Sequence, residues 1–86
     1  MKVKELIELL GKTNPEREVV ISRDSEGNGF SPFSGLSEEL YVPYSTWSGE
    51  IYIEELTEEM RKHGYSEEDT YGGDDGVKAL VFWPIN

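Results

Sequence analysis

The C-terminal run from residue 77 to residue 83 constrains the fold more than any other feature of the sequence. Its side chains alternate between two faces, with Val77, Ala79, Val81 and Trp83 on one and Lys78, Leu80 and Phe82 on the other. Pro84 ends the run because it has no backbone N–H for a further ladder hydrogen bond. Apolar side chains on both faces predict a β-strand that is covered on both sides.

Two segments predict short helices. Residues 3–11 carry apolar side chains at i, i+3, i+4 and i+7, which form one stripe on a helix: Val3, Leu6, Ile7 and Leu10. The second helix follows the candidate N-cap Thr57 and ends before Gly64, with acidic side chains in its first turn and basic ones in its last, as the helix dipole favours. Ser66 is a candidate cap for one further turn through Asp69.

Three further segments predict strands: residues 17–23, 39–43 and 50–55. The stretch 24–37 is rich in Gly, Pro and Ser, and we predict that it forms one long loop. The order α-β-β-β-α-β predicts an α+β fold, a small single domain with a mainly antiparallel sheet of about four strands and two short helices. Residues 19–21 and 77–83 are the best candidates for the middle of the sheet because they are apolar on both faces.

A chain of 86 residues without cysteine can form one domain, residues 1–86, but not two. Its core must be thin, because a domain of this size buries only about 60–65% of the surface that its unfolded chain exposes. It can have no disulfide and no thiolate metal site. The apolar pairs Leu6-Ile7 and Leu9-Leu10 are too short for a signal peptide or a membrane span. We therefore expect a cytoplasmic protein with no cofactor and no membrane association.

The formal net charge of −10 is distributed unevenly along the chain. Residues 1–23 hold five basic and four acidic side chains, whereas residues 24–86 hold three basic and fourteen acidic ones. A field of this sign repels phosphate backbones, so direct binding to nucleic acid is not expected. The same field attracts a protein with a basic surface and accelerates the encounter. The alternative is that the charge serves only solubility.

Aromatic and hydroxyl side chains are concentrated near the middle of the chain, and they form the first candidate site. Its members are Tyr41, Tyr44, Ser45, Thr46, Trp47, Ser48, Glu50 and Tyr52. Tyr and Trp rings supply rigid contact area and the hydroxyls supply adaptable hydrogen bonds, which is typical of a recognition surface. The alternative for Trp47 is that its indole covers an edge of the small core.

The segment 24–29 is a weaker candidate, for a cation. Asp24, Glu26 and Asn28 place oxygen ligands at the first, third and fifth positions of a loop that has Gly29 at the sixth, as in a calcium-binding loop. The bidentate glutamate that should close such a loop is absent, and a polar turn explains the same residues. His63 needs no catalytic role, because the dipole favours a cation at the end of a helix.

Three stretches resemble small acidic proteins encoded by phages and prophages: residues 24–28, 41–50 and 80–84. That group also begins with a short amphipathic helix and an Asn-Pro-like turn into a strand, as residues 3–21 do here. The group has no established activity. The resemblance therefore implies a setting, the cytoplasm of an infected bacterium, and no catalytic residues.

In size and charge the chain also resembles phage inhibitors that imitate DNA, in which carboxylates replace phosphates on a host enzyme's basic groove. The acidic side chains that could do this in residues 50–75, besides Glu50, are Glu54, Glu55, Glu58, Glu59, Glu67, Glu68, Asp69, Asp74 and Asp75. Only Arg61 and Lys62 oppose them in that segment. Mimicry requires these charges to be spaced like a nucleic-acid backbone.

The main hypothesis is a non-enzymatic accessory protein that binds a host protein with a basic surface and could thereby inhibit it. The first alternative is a protein that sequesters a nucleotide, with the aromatic rings stacked on the nucleobase and Ser45, Thr46 and Ser48 as polar contacts. The charge argues against it, because an anionic ligand needs local basic residues such as Arg17, Arg23 or Lys78. The second is a metal-dependent enzyme that uses Asp24, Glu26 and Asp74. So thin a core also favours a homodimer formed through a strand edge.

Overall fold

The computed structural model describes residues 1–86 and shows an α+β fold with a four-stranded antiparallel sheet. The elements are α1 (Val3–Leu10), β1 (Val20–Ser22), β2 (Phe30–Pro43), β3 (Gly49–Tyr52), α2 (Glu58–Lys62) and β4 (Val77–Pro84). A single 3-10 turn, Glu67–Asp69, lies between α2 and β4. The predicted element order is confirmed, and α2 and the following turn begin at the caps that the sequence indicates.

Strand β2 is the centre of the sheet, because it pairs with each of the other three strands. Its N-terminal part pairs with β1 through Ser31 opposite Ile21, and its C-terminal part pairs with β3 through Tyr41 opposite Ile51. The prediction that residues 24–37 form one long loop is therefore wrong from Phe30 onward. The prediction that residues 19–21 and 77–83 lie in the middle of the sheet is also wrong.

The sequence does not reveal β2 as a strand, because the burial of its residues alternates whereas their hydropathy does not. From residue 30 to residue 39 the odd-numbered side chains are the more buried ones: Ser31, Phe33, Gly35, Ser37 and Glu39. Small and polar residues on the inner face give no period-2 pattern of apolar side chains. Pro32 adds a conventional loop signal, although its carbonyl still accepts a hydrogen bond from the Ile85 N–H at 3.0 Å.

Helix α2 begins and ends at the residues that its sequence indicates. The Thr57 hydroxyl accepts a hydrogen bond from the Met60 N–H at 3.2 Å, and Gly64 follows the helix with a φ of +98°. The Ser66 hydroxyl caps the 3-10 turn, and the Asp69 carboxylate accepts from the Ser66 N–H at 2.9 Å. These local contacts satisfy N–H groups that a helix end leaves without an intrahelical partner.

Helix α1 has a weaker termination. The Glu5 carboxylate accepts from the Lys2 N–H at 3.2 Å at its start. Gly11 is its C-cap, as the sequence indicates, but with a φ of −63° it keeps a right-handed conformation that any residue can adopt. None of the helices is both long enough and apolar enough to cross a bilayer.

The chain divides into two compact units, each of which contains part of β2 and part of β4. The first unit comprises Met1–Leu36 and Phe82–Asn86, and the second comprises Ser37–Val81. In the first unit the only buried residue is Ser31, whose hydroxyl accepts from the Asn86 N–H at 3.3 Å. In the second unit the buried residues are Val42 and Ile53. Only three residues of the chain are buried, so the core is thin.

Candidate binding surface on the β2–β3 hairpin

The loop between β2 and β3 is closed by its own hydrogen bonds. The Tyr44 and Ser45 N–H groups both donate to the Ser48 carbonyl, at 2.8 and 3.1 Å. The Trp47 N–H donates to the Ser45 hydroxyl at 3.2 Å. These three bonds hold the backbone of Trp47 in one conformation at the tip of the hairpin, so little backbone freedom is left to lose when a partner binds.

Trp47 and Tyr44 stand in solvent. The Trp47 residue is 86% exposed and Tyr44 is 67% exposed. The alternative that the Trp47 indole covers an edge of the core is therefore wrong. A large aromatic ring on an ordered loop is the kind of residue that most often supplies the binding energy of a protein interface, because it buries much area at a small cost in side-chain entropy.

Tyr41 and Tyr52 belong to the framework of the hairpin, and both are half-buried. The Tyr41 ring lies over Gly49, where an added Cβ would come within 2.5 Å of ring atom Cε1. The Tyr52 ring packs on the Tyr71 ring with centroids 5.2 Å apart. The structure thus divides the predicted cluster of four rings into two that are exposed and two that pack within the second unit.

The polar members of the predicted site lie around the exposed rings. Thr46 and Ser48 are exposed, and Ser45 is half-buried through its bond to the loop backbone. The Tyr44 hydroxyl donates to Glu50 Oε2 at 3.1 Å. That hydrogen bond to a carboxylate favours the neutral phenol and raises the pKa of Tyr44 above its ordinary value. Glu50 thereby fixes the orientation of one exposed ring from the neighbouring strand.

The predicted acidic residues lie at the surface of the second unit, and all except the half-buried Asp69 are exposed. Glu67 forms an ion pair with Arg61 at 2.6 Å between well-exposed side chains, a type of contact that contributes little to stability. The Tyr71 hydroxyl donates to Asp75, and this bond raises the pKa of Tyr71. Of the predicted acidic residues, those that make no ion pair or side-chain hydrogen bond are Glu54, Glu55, Glu58, Glu59, Glu68 and Asp74.

The two units differ sharply in charge. The second unit contains twelve acidic and three basic side chains, a net charge of −9. The first unit contains six acidic and five basic ones, a net charge of −1. Almost all of the protein's negative charge therefore belongs to the unit that carries Trp47, where it attracts cationic and repels anionic partners.

In the predicted cation loop, the candidate metal ligands form hydrogen bonds with one another. One carboxylate oxygen of Asp24 accepts from the N–H groups of Glu26 and Asn28, both at 3.0 Å, and the other accepts from the Asn28 side-chain amide at 3.0 Å. The hydrogen bonds from Asn28, chiefly from its backbone N–H, lower the pKa of Asp24. Both oxygens of the leading ligand are thus occupied by N–H donors, an arrangement typical of a polar turn. No group of three or more His, Cys, Asp or Glu side chains is placed to hold a metal ion.

Tyr71 and Gly49 are parts of this surface that the sequence does not reveal. Tyr71 supports Tyr52 and binds Asp75, but it lies nineteen positions away from Tyr52 and no spacing connects the two. Gly49 lies beneath Tyr41 because β2 and β3 pair in one particular register. Only the strand pairing itself could have indicated either residue.

No known protein family matches the chain, and neither does any curated protein or solved structure.

Proposed function

We propose that this protein is a non-enzymatic binding protein that docks on the basic surface of another protein. Trp47 and Tyr44 are the anchors of the contact, and the carboxylates of the second unit steer the approach and complement the partner's charge. The proposal depends above all on one observation, the 86% exposure of Trp47 at the tip of a hydrogen-bonded hairpin.

The charge of the second unit supports a protein partner over a small anionic ligand or a nucleic acid. A nucleotide or a phosphate backbone would have to approach aromatic side chains within a unit of net charge −9. A basic protein surface gains from that field instead. In the setting that the resemblance to phage proteins implies, the partner is a host protein and the location is the bacterial cytoplasm.

The experiment is retention of a partner from bacterial lysate on the immobilised protein, with the wild type and two variants compared side by side. Trp47→Ala removes the proposed anchor, and Tyr65→Ala removes another exposed aromatic ring of the same unit. We expect a protein of basic isoelectric point to be retained by the wild type and by Tyr65→Ala, and to be lost with Trp47→Ala. Equal retention by the wild type and both variants would contradict the role of the hairpin.

The carboxylates are tested on the retained protein with a matched pair of charge variants. Glu58→Gln/Glu59→Gln removes two charges from the second unit, and Glu5→Gln/Glu8→Gln removes two from the first. We expect the first pair to slow association and to weaken its salt dependence, and the second pair to have a smaller effect. Competition by duplex DNA for the same partner would further show that the carboxylates occupy a nucleic-acid site.

A further inference from the structure

The first unit has a surface that the proposed function does not use. None of its hydrophobic residues is buried, and its only buried residue is the polar Ser31. Of the sixteen large hydrophobic side chains that are well exposed in the chain, twelve belong to this unit. Monomeric soluble proteins rarely leave so much apolar surface in water.

Helix α1 shows most clearly which surface lacks a cover. Its predicted apolar stripe contains Val3, Leu6, Ile7 and Leu10. Leu6 is half-buried, whereas Val3, Ile7 and Leu10 are 51%, 63% and 55% exposed. An eight-residue helix is too short to be stable in water by itself, and its stability normally comes from packing an apolar face. The exposed part of the stripe is therefore open to contact with a further surface.

We infer that a second copy of this chain covers the α1 stripe, in a homodimer formed through the first unit. Charge selects this unit for self-association: two copies meeting through second units would bring together surfaces of net charge −9, whereas two first units carry only −1 each. A two-fold contact also requires that one patch face its own copy, which an uncharged apolar stripe can do.

The exposed area is of the size that such an interface needs. The chain exposes 7440 Å², whereas a folded monomer of 9.8 kDa exposes about 5,200 Å². The difference of about 2,200 Å² per chain, or about 4,400 Å² for two chains, lies within the range of permanent homodimers, whose interfaces bury about 2,000–5,000 Å² in total. The inference uses residues of the first unit, whereas the proposed function uses residues of the second unit, so each can fail without the other.

The test is the mass in solution, measured by sedimentation at concentrations up to about 100 µM, well above the dissociation constants of specific interfaces of this size. We expect the wild type to sediment at twice 9.8 kDa. Ile7→Gln/Leu10→Gln should raise the dimer dissociation constant at least about 100-fold, because each substitution acts in both copies. The control Lys4→Gln/Glu8→Gln changes two other α1 residues without altering the net charge, and it should remain dimeric.

A second measurement applies if the Ile7/Leu10 variant unfolds. The melting temperature of a dimer rises with protein concentration, whereas that of a monomer does not. A rise for the wild type would support the inference. A wild-type monomer with a melting temperature independent of concentration would overturn it, and binding of that monomer to phosphatidylglycerol vesicles would assign the α1 stripe to a lipid surface instead.

Discussion

Replacing Gly49 with alanine should destabilise the protein strongly, whereas the same change at Gly35 should not. A Cβ at position 49 would lie 2.5 Å from the Tyr41 ring and 2.6 Å from the Val42 carbonyl oxygen. The ring can rotate away, but the carbonyl belongs to the β2 backbone that pairs with β3, so the strands themselves must move. At Gly35 an added Cβ meets no atom within 4 Å.

The size of the effect follows from the cost of overpacking. Inserting a methyl group into a space that cannot accept it costs about 1–3 kcal/mol. A chain of 86 residues has an unfolding entropy of about 180 cal/mol/K, so 1 kcal/mol corresponds to about 5–6 °C. Gly49→Ala should therefore lower the melting temperature by about 5–16 °C. Gly35→Ala should leave it unchanged or raise it by about 3 °C, because alanine loses less backbone entropy than glycine on folding.

Thermal unfolding followed by far-UV circular dichroism measures both variants at one protein concentration. Loss of stability at Gly49 with none at Gly35 is the expected pattern. Unchanged stability of Gly49→Ala, or an equal loss in both variants, would refute the β2–β3 register on which the position of Trp47 depends.

Three further outcomes are expected. Glu50→Gln should lower the pKa of Tyr44 toward its ordinary value of 10.0, as followed by NMR of the ring. In the wild type, this hydrogen bond should contribute to stability below the ordinary pKa, and the contribution should be lost as pH rises through the raised pKa. The pKa of Asp24 should lie below 3.8 and should rise in Asn28→Ala. The contribution of Asp24 to stability should be complete above its ordinary pKa and should be lost as pH falls through its lowered pKa. Because both carboxylate oxygens of Asp24 already accept hydrogen bonds, added Ca²⁺ should not change the melting temperature. Thr57→Ala should lower the free energy of unfolding by about 1 kcal/mol. It should also accelerate amide exchange at Met60, because the Met60 N–H would lose the hydrogen bond that it donates to the Thr57 hydroxyl.

Local signals predicted the parts of the fold that short-range contacts determine. The cap at Thr57 and the left-handed Gly64 determine where α2 begins and ends, and both belong to a stretch of eight residues. The amphipathic spacing of α1 likewise identified the helix. Such features depend only on neighbouring residues, so the sequence displays them directly.

The central strand could not be predicted because its role depends on partners distant in sequence. Ser31 and Gly35 are inner-face residues of β2 although neither is a large apolar side chain. Strand β2 pairs with β1, β3 and β4, and β4 extends as far along the chain as Pro84. Without knowledge of these partners, a stretch rich in Gly, Pro and Ser predicts a loop.

The candidate surface shows the same division. Composition alone identified an aromatic segment, but it could not separate Tyr44, which is 67% exposed, from the half-buried Tyr41 three residues earlier. That difference arises because β2 ends at Pro43: Tyr41 pairs opposite Ile51, whereas Tyr44 is the first residue of the loop. Exposure follows from strand register, which the sequence does not state.

The most direct test of the account is the accessibility of the Trp47 indole in the isolated protein. Trp83→Phe leaves Trp47 as the only tryptophan, and acrylamide then reports on that ring alone. With 86% of the residue exposed, the quenching constant should be close to that of N-acetyltryptophanamide. Strong protection of Trp47 from acrylamide would mean that the indole is already covered, and it would contradict the proposal that this ring is free to contact a partner.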